Sequence, residues 1–207
     1  TLYRLLRALA QAGFVEEDGG VYRAGPKAFA VGQAYPKRSL SQAVRPEMEA
    51  LARETGESVN LAVPLGREAL YLDQVEGTKL VRLFTAPGSR APLHATGVGK
   101  VFLAYLGVPE GLSLTPYTPH TLTRLPDLLR ELEAVRGRGY ALDNEEKELG
   151  VRCVAAPVFG ASGGVVAALS LSAPASRLSL EEAHRLAPRV VEAARRASLR
   201  LGYTGEV

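Results

Sequence analysis

Cysteine is nearly absent from these 207 residues. Cys153 stands alone, which rules out an internal disulfide and any zinc site built from several thiolates. The three histidines, His94, His120 and His184, are scattered without metal-ligand spacing, so neither a structural metal nor another cofactor is expected. No apolar run approaches the roughly 18 residues that span a bilayer, and no basic-then-apolar leader opens the chain. A soluble cytoplasmic protein without a membrane partner is expected. An initiator methionine is also missing: the chain opens at Thr1, already at the start of a helical pattern, so its native N-terminus is expected to lie upstream. Charge of one sign is scarce, with a net +3, but the excess is localised. Up to Arg38 the basic residues Arg4, Arg7, Arg23, Lys27, Lys37 and Arg38 face only Glu16, Glu17 and Asp18, and beyond Arg38 the signs balance. Such a segment suits either a polyanion or a solvated surface.

With 46% hydrophobic and 23% charged residues, the chain can bury one sizeable core or two unequal ones. In the first twelve residues, Leu2, Leu5, Leu6 and Leu9 recur at helical spacing and Gly13 supplies a stop, which predicts a helix whose apolar face packs on a core. Thr1, Tyr3, Arg4, Arg7 and Gln11 fall on its other faces, giving hydroxyls and guanidinium groups of the kind that meet phosphates and base edges. Phe14-Val15, the turn Asp18-Gly19-Gly20 and Val21-Tyr22-Arg23 then predict a small hairpin. Helix plus hairpin is the second half of a winged helix, or else an amphipathic surface helix with a cap. The acids of the first strand would repel a phosphate backbone, so a wing that touches DNA would do so through Arg23 or its backbone rather than through its tip.

A second helix is predicted from Ser39 to Gly56, with Pro46 marking a kink or a true start near Arg45. Residues 58–65, 69–75 and 79–85 carry β character and predict antiparallel strands. Ala95-Thr96-Gly97-Val98-Gly99-Lys100 is a glycine-containing loop feeding a helix. It is not a nucleotide-hydrolysing loop, because that pattern needs glycine in place of His94 and Ser or Thr in place of Val101. Free N–H groups of Gly97 and Val98 could receive an anion, or the glycines could serve only a tight turn. A helix is predicted over 122–135, strands over 151–159 and 165–172, and a last helix opened by Ser179 with Glu182 as a capping box and stopped by Gly202. Ser170 and Ser172 alternate on one strand face, Cys153 stands on the other strand of that hairpin, and Asp143 sits where a strand gives way to an acidic loop. Those residues form either a solvated surface or the polar floor of a pocket.

The stretches "TLYRLLRALAQAGFVEEDGGVYRAGPKAFAVG", "PLHATGVGKVFLA" and "GYALDNEEKELGVRCVAAPVF" resemble IclR-type transcription regulators over nearly the whole chain. The resemblance implies an α+β protein: residues 1–25 the C-terminal part of a winged helix-turn-helix, 26–38 a linker, and 39–207 a GAF-like effector-binding domain with an antiparallel sheet flanked by helices. It also implies that Thr1, Tyr3, Arg4, Arg7 and Arg23 face a double-stranded DNA operator. Gly97, Val98, Asp143, Cys153, Ser170 and Ser172 would bind a small organic acid, with Leu80, Leu83, Ala91 and Val151 as an apolar wall. The two helices that should precede the recognition helix are not in this sequence. A repressor acting as a homodimer or a dimer of dimers is expected, the bound acid changing the separation of two DNA-reading helices. Two other readings stay open: an interaction module with a packed sheet face, and an enzyme using Cys153 as nucleophile with His94 or His120 as base.

Overall fold

The first elements form where the sequence supplies their stops. In the computed structural model, which describes residues 2–34 and 37–205, α1 spans Leu2–Gln11. It closes with Gly13 at φ +77°, the Gly13 amide bonding Ala10 O and the Phe14 amide bonding Leu9 O, a left-handed cap that only glycine adopts without strain. β1 (Val15–Asp18) and β2 (Val21–Ala24) pair as an antiparallel hairpin around Gly19 and Gly20, both at positive φ. Gly25 then passes so close to the helix end that a Cβ there would lie 2.6 Å from Gly13 O. Within the expected linker, α2 occupies Pro26–Ala34, with Pro26 at the first helical position that its fixed φ favours. The apolar face of α1 is also less covered than expected, with none of its residues fully buried. Leu6 and Leu9 are half-buried, while Leu2 and Leu5 stay 66% and 58% exposed.

The chain divides into two compact units, residues 1–40 and 41–207. α3 (Lys37–Thr55) runs through Pro46 rather than starting there, and Val44, Met48, Leu51 and Ala52 are buried at helical spacing. β3 (Ser58–Leu65), β4 (Glu68–Val75), β5 (Arg90–Pro92), β6 (Ala141–Asn144), β7 (Val151–Phe159) and β8 (Val165–Pro174) build one antiparallel sheet in the order β5-β4-β3-β8-β7-β6. α4 (Gly97–Leu106) and α5 (Leu125–Arg138) cover one face over a core rich in alanine, including Ala62, Ala155 and Ala168. α6 (Leu180–Arg200) packs on β7 and β8 through Ala183, Ala187, Val190 and Ala194. Glu47 of α3 binds Arg196 and Arg200 of α6 at 2.7 and 2.9 Å. No helix among the described residues is long and apolar enough to cross a membrane.

Three expectations shift. Residues 79–85 form no strand; the Leu83 carbonyl accepts instead from Ser58 Oγ at 2.7 Å and Gln74 Nε2 at 3.3 Å, and the Thr85 amide donates to Gln74 Oε1. Those side chains take the backbone groups that a neighbouring strand would have taken. The edge of the sheet is filled by β5, which the sequence did not signal. α5 begins at Leu125 rather than Leu122, since Pro126 is tolerated only in a first turn, and runs past Gly137 to end at Gly139 in the left-handed conformation. The capping box at α6 is half made: Ser179 Oγ accepts from the Glu182 amide, but the Glu182 carboxylate pairs with Arg185.

Candidate functional site

Strand register assembles the polar residues. Asp143 lies directly opposite Cys153, Cys153 opposite Ser172, and Ser172 opposite Ser58. One rung further along, Ala141, Ala155, Ser170, Asn60 and Gln74 stand in line across five strands. Opposed residues share a sheet face, so five strands contribute to one polar strip beside the alanine-rich core. The strip is internally bonded: Ser172 Oγ lies 3.1 Å from Cys153 Sγ and 3.2 Å from Asn60 Nδ2, and Asn60 Oδ1 accepts from Gln74 Nε2 at 2.9 Å.

The N-terminus of α4 is brought down onto this strip by missing side chains. A Cβ on Gly97 would lie 3.1 Å from Ala155 Cβ, and one on Gly99 would lie 2.3 Å from Leu93 O. Thr96 caps the helix, its Oγ1 accepting from the Gly99 amide and donating to Pro92 O. The two remaining first-turn amides, those of Gly97 and Val98, have no partner among the described residues.

Asp143 is buried at the end of β6. Its Oδ1 accepts from the amides of Glu146 at 2.8 Å and Lys147 at 3.4 Å, which folds the acidic loop into a turn. Burial pushes its carboxyl up to about 7; the Glu146 amide opposes the rise and the Glu146 carboxylate adds to it. Behind the turn the buried Lys100 of α4 pairs with Glu146 at 2.5 Å. Burial also pushes the Cys153 thiol far up, which favours its protonated, hydrogen-bonding form.

Three oxygens complete the arrangement. Ser170 Oγ, Asp143 Oδ2 and the Tyr71 hydroxyl have no hydrogen-bond partner among the described residues, yet none is among the polar atoms sealed away from solvent. Tyr71 is close enough to Cys153 and Asp143 for their charges to act with burial in raising its hydroxyl pKa. Tyr71, Asn60, Ser58 and Gln74 join the strip without a signal strong enough in the sequence to mark them. Only alternation on β3 could have signalled Ser58 and Asn60, and a register shift between Leu61 and Ala62 hides the place of Tyr71.

The expected site residues divide. Gly97, Val98, Asp143, Cys153, Ser170 and Ser172 come together. Val151 is half-buried two residues before Cys153 on β7. Ala91 packs in the core with Val98. Leu83 is half-buried, with its carbonyl held by Ser58 Oγ, and Leu80 is 94% exposed. On the smaller unit, Tyr3, Arg4, Arg7 and Arg23 are exposed, and none of the three arginines has an ion pair among the described residues; Thr1 lies outside them.

A family profile described as the bacterial transcriptional regulator IclR C-terminal domain matches residues 33–199. The chain belongs to the IclR family. It is 39% identical to the HTH-type transcriptional repressor AllR of Escherichia coli (strain K12), across 98% of this chain and 78% of that protein. The IclR crystal structure from Thermotoga maritima superposes with a TM-score of 0.74 at 33% identity, over 97% of this chain and 85% of that one. An IclR homologue from Microbacterium hydrocarbonoxydans, crystallised with 4-hydroxybenzoate, gives 0.79 at 25% identity, over 96% and 84%. This IclR-family chain is thus a transcription regulator with the α+β architecture of IclR effector domains.

Proposed function

We propose that the regulator is a repressor whose larger unit senses a small organic acid at the polar strip. One observation carries this: two unpartnered amides at a helix N-terminus and three unpartnered oxygens, from Ser170, Asp143 and Tyr71, belong to one neighbourhood of the fold. A carboxylate suits the Gly97 and Val98 amides, where the helix dipole favours negative charge. Ser170 and Tyr71 can donate to a second oxygen of the ligand. Asp143, held near neutrality, donates when protonated and accepts when ionised, so it discriminates a carbonyl or second carboxyl from a hydroxyl. Catalysis is not part of this reading, because burial favours the protonated Cys153 thiol over the thiolate a nucleophile needs. On the smaller unit, Tyr3, Arg4, Arg7 and Arg23 would meet an operator, and two copies of the chain would read its half-sites.

Thermal shift against small keto, hydroxy and aromatic carboxylates, 4-hydroxybenzoate among them, tests the site, since a ligand that binds the folded state raises apparent stability by mass action. A hit abolished in Ser170→Ala/Ser172→Ala identifies the effector class. No response from any acid by a folded protein removes the carboxylate reading.

A further inference from the structure

A separate cavity of ≈ 380 Å³ lies between the β4–β5 edge and the segment that follows α4, and Arg67, His94, Ser113, Thr115, Tyr117 and Lys147 are among its walls. Its charge is unbalanced. Arg90 at its rim is neutralised by Glu68 at 3.0 Å, but Arg67 has no ion pair among the described residues. Lys147 has no carboxylate partner there either; its Nζ sits 3.7 Å over the Tyr117 ring. Arg67 lies across Gly111, where a Cβ would come within 3.2 Å of its guanidinium, so the glycine lets the arginine fold over the cavity. A concave surface with two uncompensated cations concentrates anions.

The third wall group narrows the ligand. His94 is only 1% exposed, and its Nε2 lies 2.9 Å from Thr115 O. A carbonyl can only accept, so Nε2 carries the proton. In the neutral ring Nδ1 is then an acceptor, and it is one of two buried side-chain polar atoms without a partner among the described residues. A buried acceptor left unpaired costs free energy until a donor reaches it. Ser113 and Thr115 add hydroxyls 3.0 Å apart.

We infer that this cavity is a second ligand site, for phosphate carried either as free orthophosphate or as a small phosphate monoester. Orthophosphate at neutral pH, or a monoester that takes up one proton from solvent on binding, meets both demands of the walls: oxyanions for Arg67 and Lys147, and a P–OH donor for His94. A fully ionised sulfate supplies only the first. Occupancy would also reach the polar strip, because the Lys147 amide donates to Asp143 Oδ1 and the chain from His94 leads directly into the Thr96 cap. This coupling, unlike the site itself, rests on the effector reading proposed above.

Isothermal titration calorimetry of the chain with inorganic phosphate, glycerol 3-phosphate and sulfate at neutral pH is the test. Phosphate or the monoester is expected to bind at least tenfold more tightly than sulfate, and whichever of the two binds tighter names the source. Arg67→Gln/Lys147→Met, which keeps the stems over Gly111 and Tyr117, should weaken it at least tenfold. His94→Gln should erase the preference over sulfate. Ser170→Ala/Ser172→Ala should leave phosphate binding unchanged. Absence of binding by all three anions, or affinity unaltered in the Arg67/Lys147 variant, overturns the site; loss of phosphate binding in the serine variant would relocate it to the polar strip and equally overturn it. Where a carboxylate binds, saturating phosphate should change its Kd about fivefold or more, the scale of ordinary coupling. An unchanged Kd removes the coupling and leaves the site standing.

Discussion

Asp143 concentrates the chemistry of the candidate site in one titratable group. Its folded-state pKa of about 7 lies above the ordinary carboxylate value of 3.8, so the folded protein holds a proton that the unfolded chain releases between those values. The contribution of this group to stability is therefore complete below pH 3.8 and is lost as pH rises toward 7. Asp143→Asn should raise Tm at pH 8 and change it little at pH 4, measured by thermal unfolding at both pH values. Binding follows the same sign. A ligand that accepts from neutral Asp143 should bind with constant Kd below about pH 6, weakening by up to tenfold per pH unit above pH 7, and Asp143→Asn should flatten that profile in calorimetric titrations. Gly99 is constrained sterically. A Cβ there would stand 2.3–2.6 Å from Leu93 backbone atoms, which cannot swing aside as a side-chain tip can. Gly99→Ala should cost about 3 kcal/mol, as severe overpacking does, and lower Tm by roughly 6–12 °C. Gly97→Ala, facing a single methyl group at 3.1 Å, should cost less stability and show its effect in carboxylate affinity.

Between elements, charge holds what alanine brings close. Small residues on α6 let it lie against β7 and β8, and Glu47 then joins α3 to it through two arginines. Burial alone would raise the Glu47 pKa, but hydrogen bonds from Arg196 and Arg200 outweigh it and hold the carboxyl below its usual value. This contribution is present at neutral pH and is lost as pH falls through the depressed folded value. Both guanidinium groups are about half exposed, so Glu47→Gln should cost only about 1–2 kcal/mol, a Tm loss of roughly 2–8 °C at pH 7 that shrinks on acidification. An undiminished loss at pH 3 would show that the pairing is not the cause. The loop between β4 and β5 is held differently, by Ser58 and Gln74 gripping the Leu83 carbonyl. Because those anchors also border the polar strip, an effector that rearranges the strip would move this loop.

In the molecule as a whole, every residue of the candidate site lies in the unit spanning 41–207, whereas the expected DNA contacts lie in the unit spanning 1–40. A fragment of residues 41–207 should therefore fold and bind the effector with the same Kd as the full chain, by calorimetry; a tenfold loss would show that the smaller unit helps form the site. The opposite experiment addresses DNA. Arg4→Ala and Arg7→Ala should weaken operator binding and reduce its salt dependence, measured by fluorescence anisotropy at several salt concentrations, since each removes a cation available to a phosphate.

Local pattern alone determined much of this protein. The leucine spacing of α1, the Gly13 stop, the hairpin at Gly19-Gly20, the Ser179 cap and the alternation of Ser170 and Ser172 were all legible, because each depends on residues a few positions apart. Only tertiary structure decided the rest. Residues 79–85 have the composition of a strand but give their backbone bonds to Ser58 and Gln74, and no local pattern reports a partner that lies 25 positions away. Tyr71 reaches the polar strip through the register shift in β3, and Asp143 becomes a group that titrates near neutrality only when the sheet, α4 and its own turn exclude water around it. A carboxylate in sequence is an ordinary acid; its surroundings, assembled from three strands and a helix, set what it can do.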